Sequence, residues 1–301
     1  MAARALAVRP RSATSPWSGG RLGSVAGVSN LLRSWLAPAR PAVTAPVPDL
    51  AGDPTQRRGY VVELVVVFTV TLGLSGLRSL LSLLDSLLRP EPLNQQSVAI
   101  NVPQAEVSLL DLLGQLTSVL HLLAWGALGA YLLWRSGTRL VEVGLDRTRI
   151  GRDLLGSAGL AALIGIPGLV FYLVVWQLGF NLAVLPSTLD DSWWRAVVLS
   201  LSAFGNAWAE EVLVVGYLIT RLRQFGWQEN TSLLAAAVLR GSYHLYQGFG
   251  GFVGNVVMGL VFGRVWQRTN RLWVLVFAHT LLDVVAFVGY SLLRGVVSWL
   301  P

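Results

Sequence analysis

Long, mainly apolar runs dominate the chain from Tyr60 onward. The runs are long enough for helices that cross a bilayer, which takes about 20 residues, or about 17 at the short end. They predict spans near 60–77, 108–134, 154–178, 196–220, 231–247, 249–266 and 272–292. The segment 78–88 is too amphipathic for lipid on all sides, so it lies along the interface or extends the first span. The predicted fold class is therefore all-α, a polytopic transmembrane helical bundle of seven spans. An eighth follows if 78–88 or the C-terminal stretch inserts separately.

Composition excludes a water-soluble domain. Hydrophobic residues make up 53% of the chain and charged residues 13%, whereas soluble domains carry about a quarter charged residues. The 31 glycines and 12 tryptophans fit membrane helices, in which Gly and interfacial Trp are frequent. The absence of cysteine excludes a disulfide framework, a thiolate metal site and a cysteine nucleophile.

The distribution of arginine predicts how the bundle is oriented. All 23 basic residues are Arg, the net charge is +7, and the arginines of the helical region concentrate in alternate connections between the predicted spans. The positive-inside rule then places the N-terminus in the cytoplasm of a multi-pass protein of the cell membrane. Since the basic residues lie in loops between spans, they indicate a lipid bilayer and no nucleic-acid partner.

Residues 1–58 differ from the rest of the chain. They are rich in Pro, Ser, Ala and Gly, with eight arginines against two aspartates. Such a segment cannot bury enough apolar surface to fold alone, and we expect a disordered basic tail. An Arg- and Ser-rich, acid-poor segment also resembles an organellar transit peptide. The predicted organisation is a tail of residues 1–58 and a helical domain of residues 59–301.

Charged and imidazole side chains occur inside three of the predicted spans, where a charge costs about 2.5–3.5 kcal/mol on insertion scales. They are Glu210, Glu211, Arg240, His244, His279 and Asp283. Arg240 and His244 are four residues apart, and so are His279 and Asp283. The members of each pair therefore lie on one helix face. The adjacent glutamates point about 100° apart, so both can hardly face the same atom.

Two interpretations of these residues stay open. A glutamate and imidazoles that converge on a small wet cavity can activate water, and Glu210, His244 and His279 would also serve as zinc ligands. Alternatively they are structural interhelical pairs, such as a glutamate with Arg240. A transporter that relays protons is a further class, but the chain shows no internal repeat. The motifs HExxH, GxSxG and a Walker loop are absent, which argues against the common zinc-peptidase helix, a serine hydrolase and an ATPase.

The order of these motifs resembles the CPBP family of CAAX proteases and bacteriocin-processing enzymes. That family carries EExxxR, then FxxxH, then HxxxN or HxxxD on successive helices. Here the Glu210-Glu211 pair, His244 and the His279–Asp283 pair follow in the same order over about 195–290. The resemblance implies an intramembrane endopeptidase that hydrolyses a peptide bond of a membrane-associated, prenylated or peptide substrate.

The resemblance also implies roles for the residues. Glu210 would be the base that activates water and His244 would position that water. His279 and Asp283 would help to stabilise the oxyanion, and Glu211 would hold the first histidine or a helix. The family was first described as metalloproteases and later as glutamate enzymes without metal, so zinc stays an alternative cofactor.

The chain departs from the family pattern at two positions. Val215 replaces the Arg of EExxxR, and Arg240 replaces the Phe of FxxxH. We expect Arg240 to supply the missing guanidinium and to pair with Glu211 or with a substrate carboxylate. The departures keep a second hypothesis open, a catalytically silent membrane protein for peptide binding or bacteriocin self-immunity.

Overall fold

The computed structural model describes Ser34, Ala37 and residues 53–294. The chain divides into two units, Met1–Pro38 and Ala39–Pro301, and the helices and strands named below lie in the second. The disorder predicted for the basic tail falls, up to residue 52, almost entirely outside the described residues. The predicted end of the tail at residue 58 differs from the structure, in which helix α1 already begins at Pro54.

The start of α1 (Pro54–Val70) follows from two adjacent residues. The Asp53 carboxylate accepts hydrogen bonds from the backbone N–H groups of Thr55 and Gln56 at 2.9 and 3.2 Å. Pro54 occupies the first helical position, where its missing N–H costs nothing. These residues start the helix within a segment that composition alone assigns to the tail.

The remaining elements follow in chain order. Up to residue 177 the chain contributes α2 (Leu72–Leu88), β1 (Ser97–Asn101), α3 (Ser108–Arg135) and α4 (Ile150–Gln177). The part after residue 177 contributes β2 (Ala183–Ser187), α5 (Arg195–Glu210), a π-helix (Glu211–Ile219), α6 (Thr220–Gln224), α7 (Glu229–Ser242), α8 (Phe249–Thr269) and α9 (Leu272–Leu293). The π-helix joins α5 to α6, so Arg195–Gln224 is one long helix.

The structure contains fewer candidate spans than the seven predicted. Within the described residues, five helices are long and apolar enough to cross a membrane, and up to six if a bent pair forms one span. The predicted span at 231–247 is the difference. Helix α7 has 14 residues, about 21 Å at 1.5 Å per residue, which is short of the roughly 30 Å hydrocarbon core.

The first predicted span is a broken helix. Helices α1 and α2 meet at Thr71 with a bend of 46°, and the Thr71 hydroxyl donates to the Val67 carbonyl at 2.6 Å. Glu63 of α1 pairs with Arg221 at 2.7 Å, whereas the Ser86 carbonyl of α2 accepts from Gln96 at 2.9 Å. The segment 78–88 therefore extends the first helix, across a bend, toward the opposite end of the bundle.

Two short strands correct the prediction of a purely helical fold. Strands β1 and β2 pair in parallel, with Ser97 opposite Ala183 and Asn101 opposite Ser187. Both lie in connections between helices, where backbone N–H and C=O groups need partners that no helix supplies. The Asn101 side chain also donates to the Pro186 carbonyl at 2.8 Å, so the pair ties two connections together at one end of the bundle.

The long helix Arg195–Gln224 is the centre of the bundle. In its most apolar stretch, 61% of the residues are buried inside the protein. In the corresponding stretch of α4, only 11% are buried, so α4 lies at the periphery. Every residue of the π-helix is buried. The two glutamates stand near the middle of this central helix, far from both ends.

Candidate active site

The paired glutamates lie where the central helix changes its winding. Glu210 is the last residue of α5 and Glu211 the first residue of the π-helix. Such segments are rare and occur often at functional sites, because the wider turn re-aims side chains that an α-helix would space differently. Glu210 is 4% exposed and Glu211 is completely buried.

Glu211 holds three elements together. Its Oε1 accepts a hydrogen bond from Nδ1 of His279 in α9 at 2.8 Å, and it forms a close ion pair with Nη2 of Arg240 in α7. Arg240 is also fully buried, and its guanidinium lies over the Phe262 ring at 5.7 Å. Removing one partner of a buried ion pair typically costs 3–5 kcal/mol. Glu211 is therefore a structural anchor of the site.

The Arg240–Glu211 pair agrees with the expectation that Arg240 supplies the guanidinium missing at Val215. The pair leaves Glu211 Oε2 and Arg240 Nε and Nη1 without hydrogen-bond partners among the described residues. A buried polar atom without a partner costs about 1–3 kcal/mol.

Glu210 has a different environment from Glu211. Its Oε2 accepts a hydrogen bond from the Tyr243 hydroxyl at 2.8 Å and lies 3.6 Å from Arg240 Nη2. Its Oε1 receives no hydrogen bond from residues 53–294 and is not among their fully enclosed polar atoms. Glu210 therefore has one oxygen fixed by the protein and one that can engage another molecule.

His244 lies at the end of α7, next to the residue that holds Glu210. Its Nδ1 is 2.9 Å from the Arg240 carbonyl. A carbonyl only accepts, so Nδ1 carries the hydrogen and Nε2 is the acceptor of the neutral ring. The ring centroid lies 4.8 Å from that of Tyr243 and 6.4 Å from that of Tyr246, so two tyrosine rings stand next to the imidazole.

His279 and Asp283 lie on one face of α9, as their spacing predicts. The His279 Nε2 atom is 3.6 Å from Asp283 Oδ1. The other oxygen of Asp283 accepts a hydrogen bond from the Asn206 amide at 3.0 Å. Because Asn206 stands one turn before Glu210 on α5, it couples Asp283 to the central helix.

The structure brings most of the predicted residues together. Arg240 contacts both glutamates, and His279 connects Glu211 to Asp283. Among the described residues, the His244 ring hydrogen-bonds only the Arg240 carbonyl. The neighbouring Tyr243, rather than His244 itself, donates the hydrogen bond to Glu210.

Sequence reasoning missed Tyr243 and Asn206. Each had a signal in the chain, since Asn206 lies four residues before Glu210 and on the same helix face. Tyr243 precedes His244 in a segment already selected for its polar residues. Neither residue carries a charge, so the search for intramembrane charges passed over both.

The alternative of a zinc set is not supported by the arrangement of donors. Within residues 53–294, no three His, Asp or Glu side chains gather as a group that could hold a metal ion. Glu210, His244 and His279, the predicted zinc ligands, form no such group. Arg240 also stands next to both glutamates, and its positive charge disfavours a second cation there.

Comparison with known proteins supports the predicted family. Residues 192–285 match the family model described as type II CAAX prenyl endopeptidase, Rce1-like. No curated protein and no solved structure matches the chain. The matched segment contains all six predicted site residues together with Asn206 and Tyr243. The match confirms the resemblance to the CPBP and CAAX proteases for this segment and supports an intramembrane protease.

Proposed function

We propose that the protein is an intramembrane endopeptidase of the cell membrane. It hydrolyses a peptide bond of a prenylated or otherwise membrane-associated peptide, with a water molecule that Glu210 activates. The observation that carries this proposal is the asymmetry of the two adjacent glutamates. Glu211 is enclosed by Arg240 and His279, whereas Glu210 keeps one oxygen without a donor from the described residues.

The reaction proceeds by general base and then general acid catalysis. Glu210 takes a proton from water, and the hydroxide oxygen forms a bond to the substrate carbonyl carbon. His244, with Nε2 as an acceptor, orients that water. When the C–N bond breaks, the Glu210 carboxyl returns its proton to the leaving amine. Atoms and charge balance without a further reactant.

The other groups shape the place where the oxyanion forms. We assign His279 and Asp283 to the wall around that oxygen, with Asn206 holding Asp283 in place. Arg240 adds a positive charge within 3.6 Å of Glu210. Charge that is fixed in place before the reaction stabilises a developing oxyanion effectively in a site that excludes water.

Cleavage of a farnesylated peptide with a C-terminal CAAX sequence tests the proposal. Purified wild-type protein in lipid vesicles should release the C-terminal tripeptide, detected by mass spectrometry. Glu210→Gln keeps the size and one acceptor oxygen but loses the base, so we expect turnover to fall at least 100-fold. Asp190→Asn, which changes an exposed carboxylate outside the site, is the matched control and should cleave at the wild-type rate.

A chelator arm in the same assay separates the metal-free route from a zinc-dependent one. Under the proposal, 1,10-phenanthroline leaves the rate unchanged. Loss of the rate with chelator and its return with added zinc would overturn the assigned mechanism.

One observation favours a second candidate function. Arg240 approaches both glutamates, an arrangement that also suits a catalytically silent protein that binds a peptide or confers self-immunity. That candidate expects the immunity or binding phenotype to survive Glu210→Gln, whereas the peptidase loses its phenotype.

A further inference from the structure

Helix α2 packs a small, polar face against the protein and exposes its leucines. Its buried positions include Gly76, Ser79, Leu83 and Ser86, which recur every three or four residues along one face. The leucines at positions 77, 80, 81, 84 and 87 are exposed. Small and hydroxyl residues let membrane helices approach closely and form hydrogen bonds between them. The buried face of α2 is therefore an interface with the rest of the bundle.

Two contacts of this face reach the turn that carries His244. The Ser79 hydroxyl donates to the Tyr243 carbonyl at 2.8 Å. One turn earlier, a Cβ placed on Gly76 would lie 2.7 Å from Oγ and 3.5 Å from Cβ of Ser242. The Ser242 hydroxyl itself donates to the Leu239 carbonyl at 2.7 Å, so it is not free to turn away. Gly76 permits the approach that the Ser79 hydrogen bond needs.

The peptide group between Tyr243 and His244 is held on both sides by these contacts. Its carbonyl accepts from Ser79, and its N–H donates to the Gly241 carbonyl at 3.0 Å. Tyr243, before this peptide, donates a hydrogen bond from its hydroxyl to Glu210. His244, after it, carries the imidazole. The orientation of one peptide plane therefore sets the direction of two side chains at the site.

We propose that Ser79 is a positioning residue for the reaction and that α2 is a fixed brace for the Tyr243–His244 turn. The inference rests on the proposed peptidase function and extends it to a helix outside the segment that matches the family model. A fixed brace is the opposite of a gate, in which α2 would have to move away from the bundle to admit substrate.

Turnover of the farnesylated CAAX peptide tests the role of Ser79. Ser79→Ala removes the donor, so the peptide plane can rotate, and displacements of about 1 Å can cost about 100-fold in rate. We expect kcat to fall about tenfold or more with KM unchanged, because the peptide-binding surface stays intact. Ser82→Ala on the exposed side of the same helix is the matched control and should keep both constants.

A suppressor pair tests the close approach. Gly76→Ala places a methyl group against the Ser242 hydroxyl and should lower kcat by pushing α2 outward. Adding Ser242→Ala removes that oxygen and leaves the Cβ at 3.5 Å, an ordinary contact. We expect the double variant to recover most of the lost kcat, which a general loss of stability would not explain.

A disulfide distinguishes a brace from a gate. The chain has no cysteine, so Gly76→Cys with Ser242→Cys creates one defined pair. The 3.5 Å between the Cβ positions lies within the range found in disulfides. A brace predicts that the bond forms and that the oxidised form keeps at least half of the activity of the reduced form. A gate predicts that oxidation inactivates the enzyme and that reduction restores it.

The outcomes separate the two levels of the proposal. If wild-type protein cleaves the peptide and Glu210→Gln does not, the peptidase stands. The brace is then overturned if Ser79→Ala matches Ser82→Ala, if the disulfide fails to form, or if oxidation inactivates. If wild-type protein releases no tripeptide, or Glu210→Gln cleaves like wild type, the peptidase and the brace fall together.

Discussion

The Arg240 guanidinium and the Glu211 carboxylate form a fully buried ion pair that joins α7 to the π-helix. The family pattern places its arginine four residues after the second glutamate, where this chain has Val215. In this chain a guanidinium reaches Glu211 from a neighbouring helix. We expect the two departures from the family pattern to compensate each other.

Loss of that charge should be costly. Arg240→Ala leaves Glu211 buried without its cation, and we expect a loss of about 3–5 kcal/mol in the free energy of unfolding together with loss of peptide cleavage. Thermal unfolding in detergent measures the first effect. Arg89→Ala is the control, because the Arg89–Asp85 pair is largely exposed and such pairs contribute about 0–1 kcal/mol. Equal effects of the two substitutions would contradict the role of the buried pair.

The exchange can be reversed in a double variant. Arg240→Phe alone restores the family's aromatic residue but removes the charge, so it should destabilise the protein like Arg240→Ala. Adding Val215→Arg returns a guanidinium to the helix that carries Glu211. We expect the double variant to recover at least half of the lost unfolding free energy. A double variant less stable than Arg240→Phe would show that the two positions do not serve one carboxylate.

Tyr243 should matter for turnover as well as for folding. Tyr243→Phe removes only the hydroxyl that donates to Glu210 Oε2. A hydrogen bond to a charged group contributes about 1.5–3 kcal/mol, which corresponds to roughly 10- to 100-fold in rate if the bond acts in the transition state. The expected result is a fall in kcat of that size together with a lower unfolding temperature, because the same buried bond also stabilises the folded protein. Tyr131→Phe, on an exposed tyrosine of α3, should change neither quantity.

Sequence and structure agree best where a charge stands inside an apolar run. Glu211, Arg240 and His279 attract notice because burying them in lipid needs a reason, and the structure shows that they contact one another. The spacing of His279 and Asp283 likewise predicted a shared face, since helical periodicity decides it locally.

The missed features depend on tertiary contacts. The first predicted span bends at Thr71, and the predicted span at 231–247 contains the short helix α7 rather than a full span. The hydropathy of both segments indicates neither feature. The parallel pairing of β1 with β2 joins segments more than 80 residues apart, which no local pattern encodes. Tyr243 and Asn206 are uncharged, and only the packed bundle shows what they contact.

The Asp146–Arg271 cluster should make stability depend on pH in acid. Hydrogen bonds from Thr148, together with the nearby Arg271, lower the pKa of Asp146 from 3.8 to about 2. Asp146 and Asp153 both pair with Arg271, and they raise the pKa of that guanidinium. These contacts join the connection after α3 and the start of α4 to the start of α9.

The direction of the effect follows from the lowered pKa. A carboxyl whose pKa is lower in the folded protein contributes stability that is fully present above about pH 4 and is lost as the pH falls toward 2. Asp146→Asn should therefore lower the unfolding temperature at pH 6 and flatten its decline between pH 4 and 2. Asp190→Asn, on an exposed carboxylate, is the control and should follow the wild-type curve. If the unfolding temperature of Asp146→Asn declined in parallel with that of wild type between pH 4 and 2, the ionised Asp146 would not hold α9 to the connection after α3.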